Sequence, residues 1–236
     1  MNLNGKIVWI TGSSRGIGKA AALQFAAKGA RVVVSARSVD EIDAIVGEIN
    51  ANGDSALAIP CDVTNNNQII SLVSAVKKTW GDLDILVNNA GIGIFKNILE
   101  LEEEEWDRMM NVNLKSAFLC SKAVLPAMIE QQSGQIINIV SVAGKQPFEN
   151  SGGYCASKYG MLGFTDVLRL ENRKHGVRVS AVLPGATSTP IWGDADVDHN
   201  RMMTADDVAK TIVSLCEINE TATIEEVVMR PHGGDL

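Results

Sequence analysis

Positive charge is in short supply in this chain: 21 Lys and Arg stand against 28 Asp and Glu, a formal net charge of −7 with a pI near 5.0. Nucleic acid and anionic membranes both reward a cationic surplus, so neither is expected as a main partner. Cysteine is sparse as well. Cys61, Cys120, Cys155 and Cys216 are widely separated, no CxxC occurs, and three histidines are too few for a finger, so no disulfide framework and no metal site is expected. The four read as buried free thiols. No run approaches the roughly 18 consecutive apolar residues of a membrane span. The start MNLNGKIVWITG enters an apolar strand without a basic-then-apolar leader, which makes the cytoplasm the expected address. Also missing is any linker, repeat or shift of composition that would divide the chain.

With 46% hydrophobic residues, a chain of 25.2 kDa buries roughly 72% of its unfolded surface, enough for one substantial core. A single domain over residues 1–236 is therefore expected. Short β-branched apolar runs (KIVWIT, RVVVSA, ALAIPC, DILVNN, QIINIVS, VRVSAVL, IEEVVMR) alternate with segments of helical periodicity at 17–28, 40–50, 67–80, 102–130, 154–174 and 205–216. The runs are nearly continuous rather than alternating, as strands covered on both faces require. Together they predict an α/β fold: an open, doubly wound parallel sheet with helices on both faces. The two loop-like stretches, 142–153 and 184–204, follow predicted strands, where ligand crevices of such sheets lie. The acids Glu102 to Glu105 are expected in a helix's first turn, favoured by the dipole and without chemistry.

The first strand runs into Thr11-Gly12-Ser13-Ser14-Arg15-Gly16-Ile17-Gly18, which opens the first helix. Glycines there permit a tight turn and let backbone N–H groups and the helix N-terminus meet a pyrophosphate. The spacing of Gly12, Gly16 and Gly18 is not the common GxGxxG. The second strand ends Ser35-Ala36-Arg37-Ser38, where an NAD site places an acid for the adenosine ribose, and no acid is present. Arg37, with Arg15 as a second jaw, suits a 2′-phosphate instead, so NADP(H) is favoured over NAD(H). Further along, Tyr154 and Lys158 are four apart at the start of a predicted helix and share a face. A nearby ammonium stabilises a phenolate, so the pair suits proton transfer at an alcohol or carbonyl oxygen. Ser141 ends a strand 13 residues earlier, and Asn88-Asn89-Ala90-Gly91 ends another at the same sheet edge.

In these motifs the sequence resembles the short-chain dehydrogenase/reductase family: TGSSRGIG, Cys61-Asp62-Val63, NNAG, the Asn of NVNLKSAF, Ser141, YCASK and Pro184-Gly185 occur in the family's order and spacing. The resemblance implies a sheet ordered 3-2-1-4-5-6-7 with the cofactor over its carboxyl end. It implies Tyr154 as general acid or base, Ser141 on the reacting oxygen, and Lys158 on the nicotinamide ribose while lowering the pKa of Tyr154. Asn113 would hold a water leading from Lys158 to solvent. Gly12, Ser14, Arg15, Gly16, Ile17 and Gly18 would hold the phosphates and Arg37 the 2′-phosphate. Asp62 and Val63 would meet the adenine, Asn88, Ala90 and Gly91 would wall the groove, and Pro184, Gly185, Thr187 and Thr189 would reach the nicotinamide end. Thr187 stands where the family usually has an apolar β-branched residue, and the segment after Thr189 is short.

For the substrate, a small or medium ketone or aldehyde is expected, with Ile191, Trp192 and Phe148 as candidate apolar walls; Trp192 serves equally well as an anchor of the lid. Reduction of a 3-oxoacyl thioester is the enzymatic alternative, weakened by the lid acids Asp194, Asp196 and Asp198, because an acidic carrier protein rewards basic patches. A catalytically silent NADP-binding scaffold or redox sensor is the alternative of another class. The family's dimers and tetramers form through its fourth and fifth helices, which makes a homodimer or homotetramer the expected assembly, with Met109, Val112, Phe118, Leu162, Phe164 and Leu168 as the apolar residues on those helices.

Overall fold

In the computed structural model, which describes residues 2–193 and 196–234, seven parallel strands form one sheet. In chain order the elements are β1 (Ile7–Thr11), α1 (Gly16–Ala27), β2 (Arg31–Ser35), α2 (Val39–Ala51), β3 (Ser55–Ala58), α3 (Asn66–Thr79) and β4 (Ile85–Asn88). There follow α4 (Glu103–Met109), α5 (Ser116–Glu130), β5 (Gly134–Ile139), α6 (Gly152–Asn172), β6 (Val177–Pro184), β7 (Thr187–Ser188), β8 (Met203–Thr204), α7 (Ala205–Glu217) and β9 (Glu226–Met229). The sheet order is β3-β2-β1-β4-β5-β6-β9. That is the expected order; the last strand is ninth along the chain only because β7 and β8 pair separately, Thr187 with Met203 and Ser188 with Thr204.

Side-chain alternation divides the core into two layers. Val8, Ile10, Val32, Val34, Ile85 and Val87 face α1, α2 and α7, meeting Phe25, Ile42 and Ile212. Ile7, Trp9, Val33, Leu86, Ile136 and Val179 face the other way onto α3, α5 and α6, meeting Leu72, Val124, Met128 and Leu168. Full burial of one such side chain contributes about 1.5–3 kcal/mol, and every residue of β1 is buried, which is why its sequence shows no polar alternation. The indole of Trp9 satisfies its N–H on Ser35 Oγ at 2.8 Å.

Helix ends follow local chemistry. Asn65 caps α3 by accepting from the N–H groups of Asn67 and Gln68, and Thr204 with Asp207 forms a capping box on α7. Glu102 and Glu105 form another on α4, so the acidic run is structural, and Glu105 also pairs with Lys96 at 2.6 Å. The rod read as one helix over 102–130 is two α-helices joined by a π-helical stretch at Met110–Lys115. Its length and apolarity would suit a membrane span, but its buried residues Ala117, Cys120, Val124 and Met128 have partners inside the core. All four cysteines are free and buried.

Candidate functional site

Every parallel strand ends at the same edge, and the turns leaving β1, β4, β5 and β6 open a cleft of about 1130 Å³ there. From the sequence-derived set it is lined by Gly12, Ser14, Arg15, Gly16, Ile17, Arg37, Asp62, Val63, Ala90, Gly91, Ser141, Tyr154, Lys158, Pro184, Gly185, Thr187 and Thr189. Asn88, Gly18 and Asn113 are placed differently.

At the β1 turn, Gly12 and Gly16 have φ of 63° and 55°, in the left-handed region that glycine tolerates. A Cβ on Gly12 would lie 2.9 Å from the Cα of Ala90, so the β1 and β4 turns approach as closely as backbones can. Gly18 makes the next contact rather than lining the cleft. A Cβ there would fall 2.5 Å from both Gly12 O and Asn89 Nδ2. Asn89 locks the two turns, donating to Thr11 O at 2.9 Å and Gly12 O at 3.0 Å. The first N–H groups of α1 have no intrahelical partner and face this end of the cleft. Arg15 and Arg37 line the same end. Burial pushes the Asp62 carboxyl up, but the Thr64 backbone and hydroxyl, with the Arg37 charge, outweigh it and hold it below its ordinary range.

Asn88 does not wall the groove. Its side chain points beneath the cleft, where Nδ2 donates to Asn138 Oδ1 at 2.8 Å and Ser121 Oγ at 3.2 Å, and Asn138 passes the chain on to Thr165. The strand ends after Asn88, so residue parity sends it into the layer below, and the wall is formed by Asn89 and Ala90 instead.

Around Tyr154 the helix spacing does what was expected. Lys158 Nζ lies 5.7 Å from the Tyr154 ring centroid and donates to Ile139 O at 2.9 Å. The Ser141 hydroxyl shares the cleft lining with the Tyr154 phenol and accepts from Ala143 N at 3.1 Å. The electrostatic direction differs from the expectation. Burial pushes the Tyr154 phenol up, with the nearby Ser141 hydroxyl opposing, and burial pushes Lys158 down to about 7. Desolvation acts on the two charged forms alike, so the surroundings the protein supplies keep the phenol protonated.

Asn113 sits in the π-helical stretch, fully buried. Oδ1 accepts from Ile92 N at 2.8 Å, while Nδ2 donates to Ile92 O and to Ser157 Oγ, both at 2.9 Å. Its amide therefore clamps the loop after β4. A Cβ on Gly91 would be 3.5 Å from Asn113 Oδ1 and 3.7 Å from Lys158 Nζ, ordinary van der Waals distances, so the loop passes close to both side chains.

The far end of the cleft is apolar. Phe148, Ile191 and Trp192 line it, as does Val112. Trp192 fills both of the roles open to it: Nε1 donates to Thr187 O at 2.8 Å, and the ring forms part of the wall. Of the lid acids, Asp198 caps a short helical turn through Asn200 N at 3.0 Å, and Asp194 lies outside the described residues. Phe95 was missed by sequence reading. It stands four residues after Gly91, in GIGIF, and its ring contacts Tyr154 at 5.4 Å and Trp192 at 6.1 Å between centroids. Arg108, on α4, also reaches the cleft.

Comparison with known proteins gives this arrangement a family. Residues 6–200 match the short chain dehydrogenase family. A sepiapterin reductase of Chlorobaculum tepidum is 37% identical over 239 residues, covering 98% of both chains. A 3-oxoacyl-[acyl-carrier-protein] reductase of Synechocystis is 43% identical over 188 residues, 79% of this chain and 76% of that one. Among solved structures, a metagenomic short-chain oxidoreductase in complex with NADP superposes with a TM-score of 0.86 at 38% identity, covering 98% of this chain and 99% of that one. An alcohol dehydrogenase of Thermococcus sibiricus complexed with 5-hydroxy-NADP gives 0.90 at 29% identity, covering 96% and 97%. The motif order, the sheet order and these matches agree, and the chain belongs to the short-chain dehydrogenase/reductase family of oxidoreductases.

Proposed function

We propose that the protein is an NADP(H)-dependent reductase that converts a ketone or aldehyde to an alcohol. The observation that carries this reading is the grouping of the half-buried Tyr154 phenol with Ser141 and with Lys158 Nζ, 5.7 Å from its ring centroid, in a cleft whose other end presents a glycine turn, a helix N-terminus and two arginines. Those residues fit a phosphorylated dinucleotide: Gly12 to Ile17 would take the pyrophosphate, Arg15 and Arg37 the 2′-phosphate, and Lys158 the nicotinamide ribose. The NADP and 5-hydroxy-NADP complexes of the two structural neighbours support the same choice. When bound, the reduced nicotinamide supplies a hydride to the carbonyl carbon.

The protein's own part is to position and protonate. Ser141 donates to the carbonyl oxygen and holds it against Tyr154. As the carbon gains the hydride, the C=O π pair moves onto oxygen, and Tyr154 delivers its phenolic proton there, leaving an alcohol and a phenolate. Lys158, 5.7 Å from the ring centroid, stabilises that phenolate. Asn113 acts as a positioning residue by fixing Ile92 and, through Ser157, the helix that carries both Tyr154 and Lys158. The four buried thiols suit a reducing cytoplasm.

Tyr154→Phe tests the proton donor. NADPH oxidation over a panel of ketones, aldehydes, quinones and acyl thioesters should fall at least about 10²-fold in the variant, while NADPH affinity by titration stays near that of the parent. Full activity in the variant refutes the assignment. A marked preference for a carrier-linked 3-oxoacyl thioester moves the substrate to that class, and NADPH binding with no oxidation of any carbonyl by the parent favours a silent scaffold.

A further inference from the structure

Three rings run outward from the proposed reacting position. The Tyr154 ring meets Phe95 edge-on, at 61° and 5.4 Å, and Phe95 lies nearly parallel to Trp192, at 19° and 6.1 Å. Both distances fall in the range where aromatic pairs gain beyond mere area burial. The Phe95 ring is folded back over Gly93: a Cβ at that glycine would lie 2.8 and 2.9 Å from ring atoms Cζ and Cε2. Trp192 is tethered through its indole N–H to Thr187 O. Yet Phe95 remains 45% exposed, with Phe148 at 40% and Ile191 at 38%, all inside the cleft. Exposed apolar surface gathered within a concavity is surface shaped for a ligand.

We propose that Phe95, backed by Trp192, is the specificity-determining platform of this site, and that the substrate class is a planar aromatic carbonyl compound with the aldehyde or ketone carried directly on the ring. This rests on the carbonyl-reductase reading above and deepens it. With its oxygen at Tyr154 and Ser141, such a substrate lays its ring along Phe95, which touches Tyr154 directly. A saturated ring of the same size is thicker and lacks a π face, so it fills the same wall with less contact.

The test compares benzaldehyde with cyclohexanecarbaldehyde, using NADPH and the parent, Phe95→Leu and Phe95→Tyr enzymes. The intrinsic reactivities of the two aldehydes cancel in the change of the kcat/KM ratio between enzymes. The benzaldehyde-to-cyclohexanecarbaldehyde ratio should fall about two- to tenfold in Phe95→Leu, which keeps apolar volume but loses the ring, and should be restored in Phe95→Tyr. A ratio unchanged in Phe95→Leu overturns the platform while leaving the reductase reading intact. If no enzyme reduces either aldehyde, calorimetric binding of benzyl alcohol against cyclohexylmethanol in the presence of NADPH decides. A Phe95-dependent preference for the aromatic alcohol upholds the platform and rejects the reductase reading; no such preference rejects both.

Discussion

Removing the ammonium of Lys158 should make the protein more stable at neutral pH and less so in alkali. The residue is 4% exposed, and burial lowers its pKa from 10.5 to about 7. In the unfolded chain the same group titrates near its solvated value. Between about pH 7 and 10.5 the unfolded state thus binds more protons than the folded one, and stability rises with pH across that window. Integrated over it, keeping Lys158 buried costs on the order of 4 kcal/mol at pH 7 and about 2 kcal/mol at pH 9. Lys158→Met retains most of the stem and removes the titrating group. It also gives up the 2.9 Å hydrogen bond to Ile139 O, a loss of about 1 kcal/mol. The variant should therefore exceed the parent by about 3 kcal/mol at pH 7 and about 1 kcal/mol at pH 9. Urea unfolding of the nucleotide-free proteins at both pH values, with matching m-values, measures this. Cys61, Cys120 and Cys216 are all pushed up by burial, are common to both proteins, and cancel in the comparison. A variant less stable than the parent at pH 7, or an advantage that does not change with pH, would refute the reasoning. The gain in stability is expected to come with loss of turnover, since the charge is held there for function.

Arg37→Ala should lower the ratio of kcat/KM for NADPH over NADH by about ten- to a hundredfold, the worth of a charge-assisted hydrogen bond, and an unchanged ratio would remove the 2′-phosphate from that end of the cleft. The oligomer proposal can be narrowed as well. Met109 and Leu168 are core residues and Val112 lines the cleft, whereas Phe118, Val167 and Leu170, on α5 and α6, are 42%, 52% and 60% exposed. Light scattering should give a dimer or tetramer for the parent and a lower mass for a Phe118→Glu, Leu170→Glu double variant with unchanged circular dichroism; a monomeric parent refutes the assembly.

The sequence by itself determined the sheet and much of the site, for reasons that are local. Short, β-branched, continuous apolar runs such as IVWIT, bounded by turn residues, fit strands covered on both faces, and their alternation with helical segments favours parallel pairing. Glycine at 12 and 16 marks left-handed turns, and four-residue spacing places Tyr154 and Lys158 together on one helix.

Only the tertiary structure decided what depends on distant neighbours. Hydrophobic periodicity cannot register the π-helical insertion at Met110–Lys115, which exists where Asn113 grips the backbone of Ile92 from 21 residues away. Parity at the end of β4 sends Asn88 down and Asn89 up, and a strand boundary one residue away would reverse them. Phe95 looks like a stray loop aromatic until Gly93, Tyr154 and Trp192 surround it. The direction of the Tyr154 and Lys158 shifts could not follow from spacing, because burial is a property of the assembled core, and here desolvation is the largest cause at both groups.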